Sequence, residues 1–291
     1  MCEARGRRLT PEEIDGFQGV VYANHAVNYR SFPWRQTSDP YCILVSEIML
    51  QQTRTRRVEE KYPGFIRVFP DFHALAKATL EAVLNVWQGL GYNRRGLALH
   101  KTARIVANSY GGELPTSPET LRTLPGIGAY TACAIVAFAF NLPTVFIETN
   151  VRSVFLHHFF RGSEGVRDRE ILPLVEWTLD RANPRVWYYA LMDYGSSLKS
   201  EVNPSRRSAH HRRQAPFEGS NRQVRSAILR EVLRSPGIRV AWLKQRLGLS
   251  VERVERNLEA LQREGFLSVD EQNRLLVGRS APGLLHCNSR G

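Results

Sequence analysis

Two carboxylates of this 291-residue chain, Glu47 and Glu148, have the type and setting for acid chemistry, and the first stands where a carboxylate is costly. Glu47 lies in the run SEIMLQQT, on a helix whose Ile43, Leu44, Ile48 and Leu50 form an apolar face. Glu148 ends the run LPGIGAYTACAIVAFAFNLPTVFIETN, which begins at Leu124. Burial disfavours the charged form, so a carboxyl among apolar neighbours holds its proton toward neutral pH and suits general-acid work. An exposed helix-face glutamate is the plainer reading of Glu47. Glu148, near a helix N-terminus and beside Asn150, is expected to stay ionised. In the same run Gly126 and Gly128 flank Ile127 directly after Pro125, a spacing that lets backbone N–H groups approach an anionic oxygen such as a phosphate; a Gly-Pro turn before a core helix is the alternative. A third cluster, Gly89-Leu90-Gly91-Tyr92 followed by Asn93-Arg94-Arg95, combines close backbone approach, an aromatic ring and phosphate-binding arginines, or is simply a helix end and a solvated basic turn.

The elements that must carry these residues are almost all helices. Thr10-Pro11-Glu12-Glu13 starts a helix reaching about Asn28, and Asp39-Pro40 opens the helix of Glu47. Between them Phe32-Pro33-Trp34-Arg35 reads as extended. Helical periodicity follows over 53–68, 71–86 and 97–110, then over 130–140, 151–160, 171–182 and 187–198, the last carrying Tyr189 and Asp193. Residues 199–219 lose apolar periodicity and carry two arginine-rich runs, which are either solvated or laid along phosphates. From Ser220 the pattern resumes as a small separate body. One helix runs to about Arg234, a short one over 240–247, and a third is capped by Ser250 and carries Arg253, Arg256 and Arg263; a hairpin over 266–277 follows. That order predicts a winged helix-turn-helix, whose partner is DNA or protein. The fold class expected is therefore all-α: a core over residues 1–200, a basic linker over 201–219, a winged domain over 220–279 and a tail over 280–291.

Composition narrows the partner. Forty Lys and Arg against 28 Asp and Glu leave a net charge of +12, which favours a polyanion such as nucleic acid. With no apolar leader or long uncharged apolar run in the sequence, a cytoplasmic protein without a membrane role is expected, nucleoid-associated if prokaryotic. The four cysteines, Cys2, Cys42, Cys133 and Cys287, are scattered without C-x-x-C spacing. Neither a disulfide framework nor a metal or iron–sulfur site is indicated, and Cys42 and Cys133 read as small core residues.

Taken in order, SEIMLQQT, W-x-GLGY, LPGIGAYTA and ETN resemble the helix-hairpin-helix DNA glycosylase superfamily of the endonuclease III and MutY type, and within it the adenine glycosylase branch, across about residues 25–200. The resemblance implies a two-lobed helical fold and assigns the acid to Glu47. It also assigns strand-wedging residues to Gln52 and Tyr92, and base-pocket residues to Trp34, Arg35, Leu50 and Tyr189. Gln51, Arg94, Leu124, Gly126, Ile127, Gly128 and Asn150 fall among its DNA-binding positions. Tyr130 stands where the lyase branch carries a Schiff-base lysine, and the helix around it contains no lysine. A monofunctional enzyme is therefore implied, acting as a monomer on double-stranded DNA with a mismatch or lesion. The reaction asks for the same parts on chemical grounds. A departing base must be neutralised by a protonated carboxyl, and the sugar cation must be stabilised by an ionised one.

This chain departs from the MutY pattern at four places. Glu148 replaces an aspartate, and Tyr189 aligns with a glutamine or glutamate that reads adenine. Residues 197–211 contain none of the cysteines of the family's iron–sulfur loop. The carboxy-terminal segment is too short for the family's Nudix-like domain. The expected state is cluster-free, with a monovalent cation compatible with the 124–128 hairpin. Excision of adenine opposite guanine or 8-oxoguanine leads the readings; removal of thymine or uracil opposite guanine, and non-catalytic DNA binding on the same scaffold, are the alternatives.

Overall fold

A computed structural model describes residues 8–211 and 216–278. In chain order its helices are α1 (Pro11–Asn28), α2 (Pro40–Leu50), α3 (Thr55–Val68), α4 (Phe72–Lys77), α5 (Leu80–Trp87), α6 (Arg94–Ser109), α7 (Pro118–Leu121), α8 (Ala129–Phe140), α9 (Thr149–Phe159), α10 (Asp168–Trp177), α11 (Pro184–Glu201), α12 (Asn221–Arg234), α13 (Val240–Leu247) and α14 (Val251–Arg263). Strands β1 (Leu267–Val269) and β2 (Leu275–Val277) follow, paired antiparallel with Ser268 opposite Leu276. The described residues form two compact units, one of 8–63 and 109–211, the other of 64–108 and 216–278.

Capping side chains fix the helix starts that position the first unit. The Thr10 hydroxyl accepts from the Glu13 N–H and the Glu13 carboxylate accepts from the Thr10 N–H, a reciprocal box. Asp39 accepts from the Cys42 N–H at 3.0 Å, which sets the start of α2 and hence the turn on which Glu47 falls. The core is aromatic: Phe17 of α1 meets Phe155 and Phe159 of α9 and Trp187 of α11, with centroids 5.0–6.0 Å apart. Helix α8 is apolar on every side and packs against α2. It ends at Asn141 in a left-handed conformation, where the Arg185 guanidinium donates to the Ala139 carbonyl.

The second unit joins distant parts of the sequence. Leu80, Leu84 and Leu97, from α5 and α6, share one buried cluster with Val224, Ile228 and Val232 of α12, Leu258 and Leu261 of α14, and Phe266 and Leu275 of the hairpin. The carboxy-terminal body is therefore not the separate domain expected. About sixty residues bury only a marginal core by themselves, and the α5 and α6 leucines enlarge it. Its element order does follow expectation, three helices and then a hairpin. Backbone bonds from Leu275 to Ile238 and from Val240 to Asn273 extend the hairpin edge.

Other expectations are corrected. Residues 33–35 form one turn of 3₁₀ helix, with only Phe32 extended before the proline. The helix expected over 71–86 is two, because Thr79 caps a new start by accepting from the Ala82 N–H. Arg94 and Arg95 begin α6 instead of lying in a loop. Ser250 occupies the cap position of α14 but makes no side-chain capping bond. The first part of the expected linker is folded: α11 runs to Glu201, Pro204–Arg207 is a 3₁₀ turn, and Arg207 donates to the carbonyls of Leu156 and Phe160 at the end of α9. Cys42 and Cys133 are half-buried free thiols. The extreme amino terminus, residues 212–215 of the linker and the tail from 279 lie outside the described residues. No helix among the described residues is long and apolar enough to cross a membrane.

Candidate active site

Glu47 is 6% exposed and sits on α2 between Ser46, Ile48 and Met49, all buried. Its carboxyl has one hydrogen-bond partner of note, the Tyr130 hydroxyl, which donates to Oε2 at 3.4 Å. Burial pushes its pKa up, repulsion from Glu148 adds to the rise, and the weak bond from Tyr130 opposes it; the result is about 8. At neutral pH this carboxyl is protonated. Burial likewise raises the Tyr130 phenol, which stays neutral and can only donate toward a carboxylate.

Glu148 is placed and solvated differently. It is the N-cap of α9, and its Oε1 accepts from the backbone N–H groups of Asn150 at 2.5 Å and Val151 at 2.9 Å. The residue keeps some accessible surface, yet burial is still the largest influence on its carboxyl and raises the pKa. The two backbone donors, with Lys199 and Arg152, pull the other way. The expectation of a simple helix-terminus carboxylate is thus corrected: Glu148 shares the apolar surroundings and is raised as well. Between the two, Glu47 holds the proton, because only Glu148 has backbone N–H donors aimed at its charged form.

Two features hold Glu148 that nothing in its local sequence announces. Tyr188 stacks on Phe146 with centroids 3.8 Å apart, donates to the Thr144 carbonyl and accepts from the Phe146 N–H, pinning the loop that leads to Glu148. Gly195 of α11 lies against the first turn of α9, where a Cβ would fall on the carbonyl of Asn150. Only glycine allows that approach.

Of the expected base-pocket residues, Trp34, Arg35 and Tyr189 are linked through ring contacts that run by way of Phe32. Trp34 is buried and stacked on Phe32 at 5.0 Å. The Arg35 guanidinium lies 4.5 Å from the centroid of Tyr189, whose ring stacks on Phe138. Leu50 is half-buried at the end of α2. Arg35 is not mobile: its Nη1 donates to both oxygens of Asp193 at 2.9 Å and to the Arg30 carbonyl. Asp193, fully buried, also binds Arg30 through Nε at 2.6 Å and His25 at 3.0 Å. Sequence reasoning gave Asp193 no role. The available signal was its i, i+4 spacing from Tyr189 on α11, which puts both on one face.

At the end of α2 the side chains of Gln51 and Gln52 part company. The Gln51 amide donates to the Gly126 carbonyl and to the Thr131 hydroxyl, both at 3.2 Å, so it ties α2 to the hairpin. Gln52 has a left-handed backbone at φ 54°. In the hairpin Ile127 donates its N–H back to Leu124, Gly126 has φ 80°, and Gly128 caps α8 without a side-chain bond. Leu124 and Ile127 bury their side chains, leaving backbone as what the turn presents. Asn150 is engaged by its N–H with Glu148. In the second unit Tyr92 also has a left-handed backbone, at φ 45°. Among the described residues every other non-glycine of positive φ is an asparagine, the side chain that tolerates it. Such conformations cost about 1–3 kcal/mol each and persist where the surroundings enforce them. They fall on the two residues that the motif resemblance assigned as wedges.

The fold and the motifs place this chain among known proteins: it belongs to the HhH-GPD superfamily of base excision DNA repair proteins, whose family model matches residues 45–177. It is 36% identical over 224 residues to the adenine DNA glycosylase of Mycolicibacterium smegmatis, covering 70% of this chain and 76% of that protein. It is 33% identical over 192 residues to the adenine DNA glycosylase of Buchnera aphidicola subsp. Baizongia pistaciae, covering 65% of this chain and 54% of that one, so it spans about half the length of that relative. Among solved structures, a thermostable thymine-DNA glycosylase superposes with a TM-score of 0.59 at 26% identity, over 67% of this chain and 91% of the other. The all-α helix-hairpin-helix glycosylase fold expected from the motifs is the fold observed.

Proposed function

We propose that the protein is a monofunctional DNA glycosylase that flips a mispaired base from duplex DNA and hydrolyses its N-glycosidic bond, the base being adenine opposite guanine or 8-oxoguanine. The observation that carries this reading is the pairing of a protonated Glu47, its pKa near 8, with Glu148 held by two backbone N–H groups. Glu47 gives its proton to a ring nitrogen of the base, and the bond to C1′ breaks with its electron pair leaving on the base. The cationic sugar is stabilised by the Glu148 carboxylate, water adds at C1′, and the proton that water sheds restores the acid. Tyr130 orients Glu47, and no lysine between Leu124 and Glu148 is present to form a Schiff base. Gln52 and Tyr92 fill the vacated stack, and the 124–128 backbone and the α8 N-terminus take a phosphate. The four scattered cysteines support a cluster-free enzyme. The carboxy-terminal three-helix body is read as a winged helix that meets DNA, although Arg253 is already bonded to the Gly219 carbonyl and Lys244 pairs with Glu255.

Adenine is supported by the likeness, at 33–36% identity, to the two adenine DNA glycosylases. A second reading, excision of thymine or uracil opposite guanine, is favoured by the likeness to the thymine-DNA glycosylase and by Tyr189 standing over Arg35 in place of an amide or carboxylate. A panel of defined mismatched duplexes under single-turnover conditions separates the two. Abasic product from adenine strands opposite guanine or 8-oxoguanine is expected, and cleavage confined to thymine or uracil strands overturns the adenine assignment. Tight mismatch binding without product on any duplex would instead favour a binding protein on this scaffold.

A further inference from the structure

Tyr92 is gripped by a residue from the other end of the sequence. The Arg222 guanidinium, on the first turn of α12, donates from Nη1 to the Tyr92 hydroxyl at 2.5 Å and lies 5.4 Å from the ring centroid. Its Nη2 donates to the Pro216 carbonyl. From the near side Arg95 also lies 5.4 Å from the ring, while its Nη2 binds the Leu90 and Gly91 carbonyls at 3.2 and 3.1 Å. Next to this, Arg94 and Arg225 both form paired bonds to the Glu264 carboxylate, at the end of α14. Arg222 thus holds Tyr92, and Glu264, itself bonded to Arg225, holds Arg94 two residues further on, at the start of α6.

We infer that Arg222, supported by Arg225 and Glu264, is a positioning residue for the strand wedge: it holds Tyr92 in its left-handed conformation with the ring set for insertion, so the carboxy-terminal body is a working part of base flipping. A bulky aromatic residue does not adopt φ 45° unassisted. Bonds to its hydroxyl, its ring face and the carbonyls before it over-determine that conformation. A wedge that arrives already ordered does not lose side-chain and backbone freedom on meeting DNA. This inference rests on the wedge role of Tyr92 under the glycosylase reading.

The test is a double-substitution cycle in the full chain, read on an adenine·8-oxoguanine duplex with 2-aminopurine beside the adenine, whose fluorescence reports flipping. Tyr92→Phe keeps the ring and removes the bonded hydroxyl; Arg222→Gln removes the donor. Each should lower the flipping rate by about tenfold, the double variant should be no worse than either, and Arg222→Lys should recover part of the loss. Unfolding midpoints checked alongside separate this from general destabilisation. Multiplying losses in the double variant would mean that Arg222 acts on DNA directly and would overturn the inference, as would wild-type flipping by Arg222→Gln. If Tyr92→Ala flips as well as wild type, the wedge reading fails and the inference with it; if Tyr92→Ala abolishes flipping while Arg222→Gln is silent, only the bracing role is lost.

Discussion

The carboxylate site and the Tyr92 loop solve opposite problems. Around Glu47 the chain withholds partners: an apolar helix and one weak tyrosine bond leave the carboxyl mostly protonated at neutral pH. Around Tyr92 it supplies them in excess, with two arginines over one ring and two more on Glu264, whose carboxyl they hold down at about 2. Deprivation tunes a proton; abundance fixes a shape. The first should be insensitive to salt and sensitive to pH, the second the reverse.

The largest expected loss is that of Glu47→Gln, which keeps shape but has no proton to give. Single-turnover excision should fall by about 10²-fold or more with duplex binding retained. The same substitution sharpens the contrast through stability. With a folded pKa near 8 against an unfolded value near 4.5, the folded state holds the extra proton between those values, so the wild type loses stability as pH rises through that window. Glu47→Gln should therefore gain in unfolding midpoint over wild type most clearly at pH 8 and above. An unchanged excision rate would move the acid elsewhere.

Gly195→Ala should come next. The new methyl falls on the Asn150 backbone and must push the first turn of α9, carrying Glu148 with it. A shift of about 1 Å at a reacting group can cost about 10²-fold, measurable as a lower excision rate with substrate binding little altered. Glu148→Asp should cost less, about tenfold, since the charge is kept and only its reach shortened. A rise in rate would show that the longer side chain is a compromise.

The pH profile gives a finer reading. Excision should fall as pH rises through about 8, where Glu47 ionises, and fall again on the acid side at a pH above the ordinary carboxylate range, because burial raises Glu148 too. A profile level from pH 6 to 10 would break the two-carboxylate assignment. The smallest effect belongs to the other region. Glu264→Gln should lower the unfolding midpoint only slightly, since its arginine pairs are partly solvated, and the difference should shrink as salt is raised.

Much of the helical order was legible because the signals were local: Thr10, Asp39, Thr79 and Ser220 all cap through a side chain, three of them at the expected places. Glu47 was visible for the same reason, a charge among apolar neighbours. What stayed hidden involves pairs far apart in sequence. Asp193 takes its meaning from Arg30 and Arg35, about 160 positions away, and Arg222 from Tyr92, 130 positions away. Gly195 in a helix shows no sign of the backbone it must admit. The 3₁₀ turn at Pro33 and the fresh start at Thr79 were missed because short helices leave too little periodicity to read.

The leucines that α5 and α6 contribute to the carboxy-terminal cluster set an order of events at synthesis. Leu80, Leu84 and Leu97 leave the ribosome well before Val224, Leu258 and Phe266, the residues that cover them. At about 5–20 residues per second, that apolar surface waits on the order of ten seconds or more for its partner. A messenger truncated before residue 220 would leave it permanently uncovered, exposing the product to aggregation and proteolysis. Residues 220–278 thus act as a late-arriving cover for the middle of their own chain.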